Sequence, residues 1–182
     1  LILPDHLKSI GSNAFYGCKY LTGSLVIPEG VTEIRRGAFK GCTGLNGTLT
    51  LPSTLKKLGN RGEDDMQDEG TDYYGGVFQG CNNLTGNLRL PDNLELIRGY
   101  CFAGCSGFYG ELKLPSHLKR IANCVFQGCS GLTGSLTIPQ NITNIPSEAF
   151  HGCGFNGTLT LHDGIINIAN DAFADCHFRG EL

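Results

Sequence analysis

The sequence lacks any run of 18 apolar residues, so no segment is long and apolar enough to form a membrane-spanning helix. It also lacks an excess of positive charge. A formal charge of -3 leaves no overall basic balance for neutralising phosphates, which argues against nucleic-acid binding, and neither end carries a tail of one sign. Gly-x-Ser-x-Gly, His-Glu-x-x-His, the phosphate loop and the dinucleotide fingerprint are all missing. The chain opens on Leu1-Ile2-Leu3-Pro4 with neither methionine nor a signal peptide, and it closes inside a pattern at Arg179-Gly180-Glu181-Leu182. The expectation is a fragment of a longer protein.

Glycine is abundant: 27 of 182 residues is about twice ordinary usage, and without the every-third-residue period of collagen. The reason is an internal repeat. Phe-x-Gly-Cys stands at Phe15 to Cys18, Phe39 to Cys42, Phe78 to Cys81, Phe102 to Cys105, Phe126 to Cys129 and Phe150 to Cys153, with Phe173 to Cys176 as a seventh that has Asp175 for glycine. The cysteines are 24, 39, 24, 24, 24 and 23 residues apart, so the period is 24 and one interval holds an insertion of 15. Each unit continues through an apolar residue and a glycine, such as Leu21 and Gly23, into Leu-x-(Ile or Leu)-Pro, as at Leu25 to Pro28. Two apolar residues three apart, such as Val31 and Ile34, then precede the next phenylalanine.

In Leu25-Val26-Ile27 and its equivalents the first and third side chains point inward and the second outward, which reads as a short strand ended by a proline that cannot extend the ladder. One such strand buries too little to stand alone, whereas stacked at about 4.8 Å per turn the strands make a parallel sheet over a continuous core. The segment leading into Phe-x-Gly-Cys has room for a short extended piece and one helical turn, with its glycine at positive φ. The expected fold is therefore an α/β repeat solenoid, a right-handed superhelix of about seven 24-residue turns built from short parallel strands and short helical turns.

The pattern Ile-Pro-x-x-(Val or Leu)-x-x-Ile-x-x-x-Ala-Phe-x-Gly-Cys resembles the BspA-type leucine-rich repeat of bacteria, over essentially the whole chain apart from the insertion. The resemblance implies one leucine-rich-repeat domain over residues 1–182, from a bacterial cell-surface or secreted protein, that binds a protein or another extracellular macromolecule in adhesion. It implies neither catalysis nor a cofactor. A spacer that holds another domain away from the cell surface is the alternative. The chain departs from the family pattern in its Gly-x-Leu-x-Ile-Pro segment, one residue longer than usual, and in His162, which replaces a proline.

The leading reading presents the outward residues of the expected sheet to the ligand. One row reads Val26, Thr50, Arg89, Lys113, Thr137 and Thr160, and beside it run Ser24, Thr48, Asn87, Glu111, Ser135 and Thr158. The candidate binding residues are the first row with Asn87 and Glu111. No aromatic residue lies in either row, so Arg89 alone is of a type common at binding hot spots.

Seven of the nine cysteines share one repeat position, where stacked side chains point alike, and the reading is a ladder of buried free thiols. Cys101 falls at an alanine position and is expected in the core; Cys124 aligns with Asn13, Gly37 and Glu148 and is expected to be the exposed thiol. His6, His117, His151, His162 and His177 do not converge with one another, and His151 and His177 read as solvated surface. The tripeptides at Asn46, Asn83, Asn141 and Asn156 fit N-glycosylation in form alone, since the repeat favours Asn, Gly and Thr in its turns. The insertion, at about 59–74, sets six acids against Arg61 and leaves 11 acids against 13 bases elsewhere. Asp64, Asp65, Asp68 and Asp72 are weak candidates for calcium because they lack the order of a dedicated loop. A solvated surface loop is preferred, and a ligand-contacting loop is the remaining reading. Its deletion is expected to leave the fold intact.

Overall fold

The protein is represented by a computed structural model, which describes residues 1–60 and 75–180. It is a parallel-stranded solenoid of leucine-rich-repeat type with short strands: β1 (Ser9–Ile10), β2 (Leu25–Val26), β3 (Glu33–Arg35), β4 (Leu49–Thr50), β5 (Lys57–Asn60), β6 (Leu96–Ile97), β7 (Arg120–Ile121), β8 (Leu136–Thr137), β9 (Asn144–Ile145), β10 (Leu159–Thr160) and β11 (Asn167–Ile168). All pairings are parallel, and equivalent residues of neighbouring turns meet in register, as Leu25 with Leu49 and Ile10 with Ile34.

The longest sheet is not where the apolar alternation put it. It has five strands in the order β1-β3-β5-β6-β7, from the segment after each Leu-x-Ile-Pro, while the Leu-x-Ile-Pro strands form only the pairs β2-β4 and β8-β10 with the single bridge Arg89 to Lys113 between them. Proline explains the difference. A residue without an N–H ends the ladder directly after Ile27 and its equivalents. Pro146 acts likewise on the long sheet: the equivalent N–H of Arg98 donates to Leu58 O and that of Ala169 to Ile145 O. Without that donor the sheet stops at β7, and β9 pairs with β11 separately.

Among the described residues there is no helix, so the expected helical turns are corrected. Around Phe39 the N–H groups of Gly37, Phe39 and Gly41 donate to carbonyls of the following turn, Gly75, Val77 and Gln79, while those of Ala38, Lys40 and Cys42 close reverse turns onto residues three back. Every second donor is engaged by a neighbouring turn, so an i to i-4 ladder cannot form. The backbone passes through positive φ at Gly41 (73°) and its equivalents and at Asp175 (58°). A different need explains Gly44: a Cβ there would overlap the carbonyl oxygen of Lys19 in the preceding turn.

The core is a set of ladders. Seven phenylalanine rings from Phe15 to Phe173 stack with centroids 5.0 to 5.7 Å apart, and most neighbours are within about 13° of parallel. Phe108, Phe155 and Phe178 meet this column edge-on. Phe39 through Phe150 are fully buried, whereas Phe15 and Phe173, each stacked on one described ring of the column, are half-buried, as are Cys18 and Cys176. The expected burial of the cysteine ladder therefore holds from Cys42 to Cys153.

Candidate binding face

The Leu-x-Ile-Pro strip presents its second residue outward. Leu25 and Ile27 are buried while Val26 is 54% exposed, and Thr50, Arg89, Lys113, Thr137 and Thr160 are exposed likewise, as are Ser24, Thr48, Asn87, Glu111, Ser135 and Thr158 beside them. Part of this second row is committed to the stack: Ser24 Oγ accepts from Thr48 N at 3.1 Å and Ser135 Oγ from Thr158 N at 3.0 Å.

At the middle of the strip the surface sinks into an open depression of about 720 Å³. Asn87, Arg89, Glu111 and Lys113 line it, over Leu88, Leu90 and Leu114, and the structure adds Asp92, Pro115 and Ser116. Sequence reasoning missed Asp92 and Ser116 because they follow the proline, where the strand alternation has ended. Four of the eight candidate residues are thus brought together; Val26, Thr50, Thr137 and Thr160 lie on turns to either side.

The cysteine ladder is chemically quiet. Each Sγ donates to the phenylalanine carbonyl of the preceding turn: Cys42 to Phe15, Cys81 to Phe39, Cys105 to Phe78, Cys129 to Phe102, Cys153 to Phe126 and Cys176 to Phe150, at 3.0 to 3.1 Å. No disulfide forms among them. Burial pushes the Cys81, Cys101 and Cys129 thiols up to about 12, against an ordinary value of 9.0, so they are not poised as nucleophiles. Cys101 lies in the core as expected. Cys124 overturns the expectation of an exposed thiol: it is 3% exposed. Its backbone sits at φ 57°, and the side chain takes a hydrogen bond with Tyr100 of the preceding turn while Glu148 stands near it. Burial raises its pKa.

The histidines stay apart. His6 and His117 are exposed. His162 does structural work in place of the missing proline: Nδ1 accepts from Gly164 N, so Nε2 carries the proton, facing the carbonyls of Pro139 and Ile142 at 3.1 Å. His151 is half-buried, not simply solvated, with Nε2 3.3 Å from Asp175. Among the described residues no group of three or more His, Cys, Asp or Glu could hold a metal ion. The weak calcium candidates Asp64, Asp65, Asp68 and Asp72 lie outside the described residues.

All four asparagines of the glycosylation-like tripeptides tie neighbouring turns together. Asn46 and Asn156 accept from the N–H of Gly23 and Gly134, and Asn83 and Asn141 donate to the carbonyls of Thr43 and Ser116. Their recurrence follows from inter-turn bonding.

The family model of the BspA type leucine rich repeat region matches residues 1–62 and 71–179 in six copies. No curated protein matches the chain. Among solved structures, a leucine-rich-repeat protein of T. pallidum is 24% identical with a TM-score of 0.62, over 92% of this chain and 67% of that one. A leucine-rich-repeat protein from Bacteroides ovatus is 24% identical with a TM-score of 0.49, over 97% of this chain and 58% of that one. The first likeness is one of fold.

Proposed function

From the chain's membership of the BspA-type leucine-rich-repeat family, we propose that it is a non-enzymatic module of a secreted or cell-surface bacterial protein that binds another protein in adhesion. The proposed architecture is one right-handed array of seven turns over residues 1–182, with an acidic insertion at about 59–74. Repeats of this type are generally protein-interaction modules, and an array of short strands offers a rigid face whose outward residues vary without disturbing the core.

One observation carries the choice of face: Arg89, Lys113, Asp92 and Glu111 meet in the depression, with buried or half-buried leucines beneath, on a strip otherwise uncharged. Charges of both signs above an apolar floor suit a protein surface with a matching pattern. The test is capture of extracellular-matrix and mucosal proteins on the immobilised chain, then titration of the captured ligand against Arg89→Ala, Lys113→Ala and Thr160→Ala. Loss of about tenfold or more in affinity for the first two, with little change for the third, is expected. Capture of nothing would leave the spacer reading in its place, and equal affinity across the variants would overturn this choice of face.

A further inference from the structure

The long sheet carries a second surface, separate from the depression and independent of it. Its outward rows place Lys8, Lys56, Lys57, Lys119 and Arg120 in the open, and the acids in these rows are Glu33, paired with half-buried Arg35 at 2.7 Å, and Glu95. That is five of the chain's fourteen basic residues exposed on one strip of a protein whose formal charge is -3.

Their order along the solenoid matters more than their number. The N–H of Thr32 donates to Lys8 O, that of Lys56 to Thr32 O, that of Glu95 to Lys56 O and that of Lys119 to Glu95 O, so these residues succeed one another one turn at a time. Lysines therefore stand on alternate turns, about 10 Å apart, and the two acids occupy the turns between. Glu95 shows what such a site does to a carboxylate. It lies 2.7 Å from Lys119 Nζ, and Lys119 first, then Lys56 and Lys57, hold it below its ordinary value. Where Pro146 interrupts the sheet, Lys119, Arg120, Thr143 and Asn144 border a groove of about 380 Å³ that continues the strip.

We propose that this strip binds an acidic segment of a partner protein, extended along the solenoid axis with carboxylates at every third residue. A polyproline-type strand has three residues per turn and rises about 3.1 Å per residue, so one of its faces repeats about every 9.3 Å, close to the interval between the lysine-bearing turns. A nucleic-acid duplex carries a charge about every 1.7 Å and would meet Glu33 and Glu95 as repulsion. Single-stranded nucleic acid would want aromatic platforms, and these rows hold none.

The test uses the full chain and fluorescence anisotropy with a labelled peptide that has glutamate at every third position, alternating with proline and alanine, at low salt. A peptide of the same composition with its glutamates clustered is the comparison. The spaced peptide should bind severalfold tighter, should weaken about tenfold against the double variant K56Q/K119Q, and should be unaffected by R89A/K113A. Unchanged thermal melting of each variant confirms the fold, since the replaced side chains are exposed. Equal binding of the two peptides, loss of binding in R89A/K113A, or tighter binding of a sulfated polysaccharide or oligothymidylate than of the spaced peptide would overturn the proposal. Failure of the depression variants to affect a captured protein would leave this result untouched.

Discussion

The thiol of Cys81 donates a hydrogen bond to the carbonyl oxygen of Phe39 at 3.0 Å, across the boundary between two turns. The same bond recurs down the array, so cysteine at this position acts as a small apolar filler with one usable donor. Cys105→Ala should lower stability by about 1 to 3 kcal/mol through the lost sulfur contacts and the weakened satisfaction of the Phe78 carbonyl. Cys105→Ser keeps a donor and should recover part of that loss. Denaturant midpoints for the pair decide it, and a serine variant no better than alanine would show that the donor contributes nothing.

Thiol accessibility follows burial. All nine cysteines are free, and Cys18 and Cys176 are the half-buried ones. Alkylation of the native protein followed by peptide mass mapping should label these two first and leave Cys124 protected until unfolding. Early labelling of Cys124 would mean that its contact with Tyr100 does not persist in solution.

Alkaline pH should destabilise the fold. The Cys81, Cys101 and Cys129 thiols have their folded values raised to about 12 from 9.0, so above pH 9 the unfolded chain releases protons that the folded chain retains. Their contribution is intact below pH 9 and declines as pH rises towards about 12, by up to roughly 1.4 kcal/mol per thiol for each unit. Denaturation midpoints measured at pH 7.5 and pH 10 should fall accordingly. A flat profile would contradict burial of these thiols.

Truncation within the phenylalanine column should depend on position. Phe126 stacks between Phe102 and Phe150 and is fully buried, so Phe126→Ala should cost about 3 to 5 kcal/mol. Phe15 has one ring neighbour and is half-buried, and its truncation should cost clearly less. Equal losses in chemical denaturation would indicate that the column does not stack as described.

Asp175 occupies a left-handed position at φ 58° that glycine fills in the other six Phe-x-Gly-Cys units. Asp175→Gly should therefore stabilise by about 0.5 to 1 kcal/mol, since the exposed contact with His151 that it removes is worth little. A loss of stability would show that the pair matters more than the backbone.

Much of this architecture was legible in the sequence because a 24-residue period repeats the same side chains. Phe39, Cys42 and Leu25 advertise their burial through recurrence, and Arg89 and Lys113 their exposure through alternation. What escaped was hydrogen-bond accounting. The segment Thr32-Glu33-Ile34-Arg35 shows one apolar residue among polar ones, a weak signal, yet its N–H groups are free to ladder, whereas Leu25-Val26-Ile27 looks like the better strand and runs into Pro28. The helical turn failed for the same reason, since donors such as Phe39 N have partners that exist only once the next turn is in place. Cys124 shares its left-handed backbone with Asn13 and Glu148, but its short side chain lies beside Tyr100 and Glu148 of the neighbouring turns, and that cover is invisible in the alignment. The repeat already set Arg89 beside Lys113 in one row, whereas the second polar face needed the long sheet itself to set Lys56 two turns from Lys119.

The phenylalanine column gives every interior ring the same two contacts, one above and one below, whatever the total number of rings. Length is thus an adjustable quantity: duplicating or excising one 24-residue segment, such as 106–129, would bring equivalent surfaces together again without any new core having to be invented. The array can change its reach by recombination between its own near-copies, while the residues that face outward on each copy remain free to diverge.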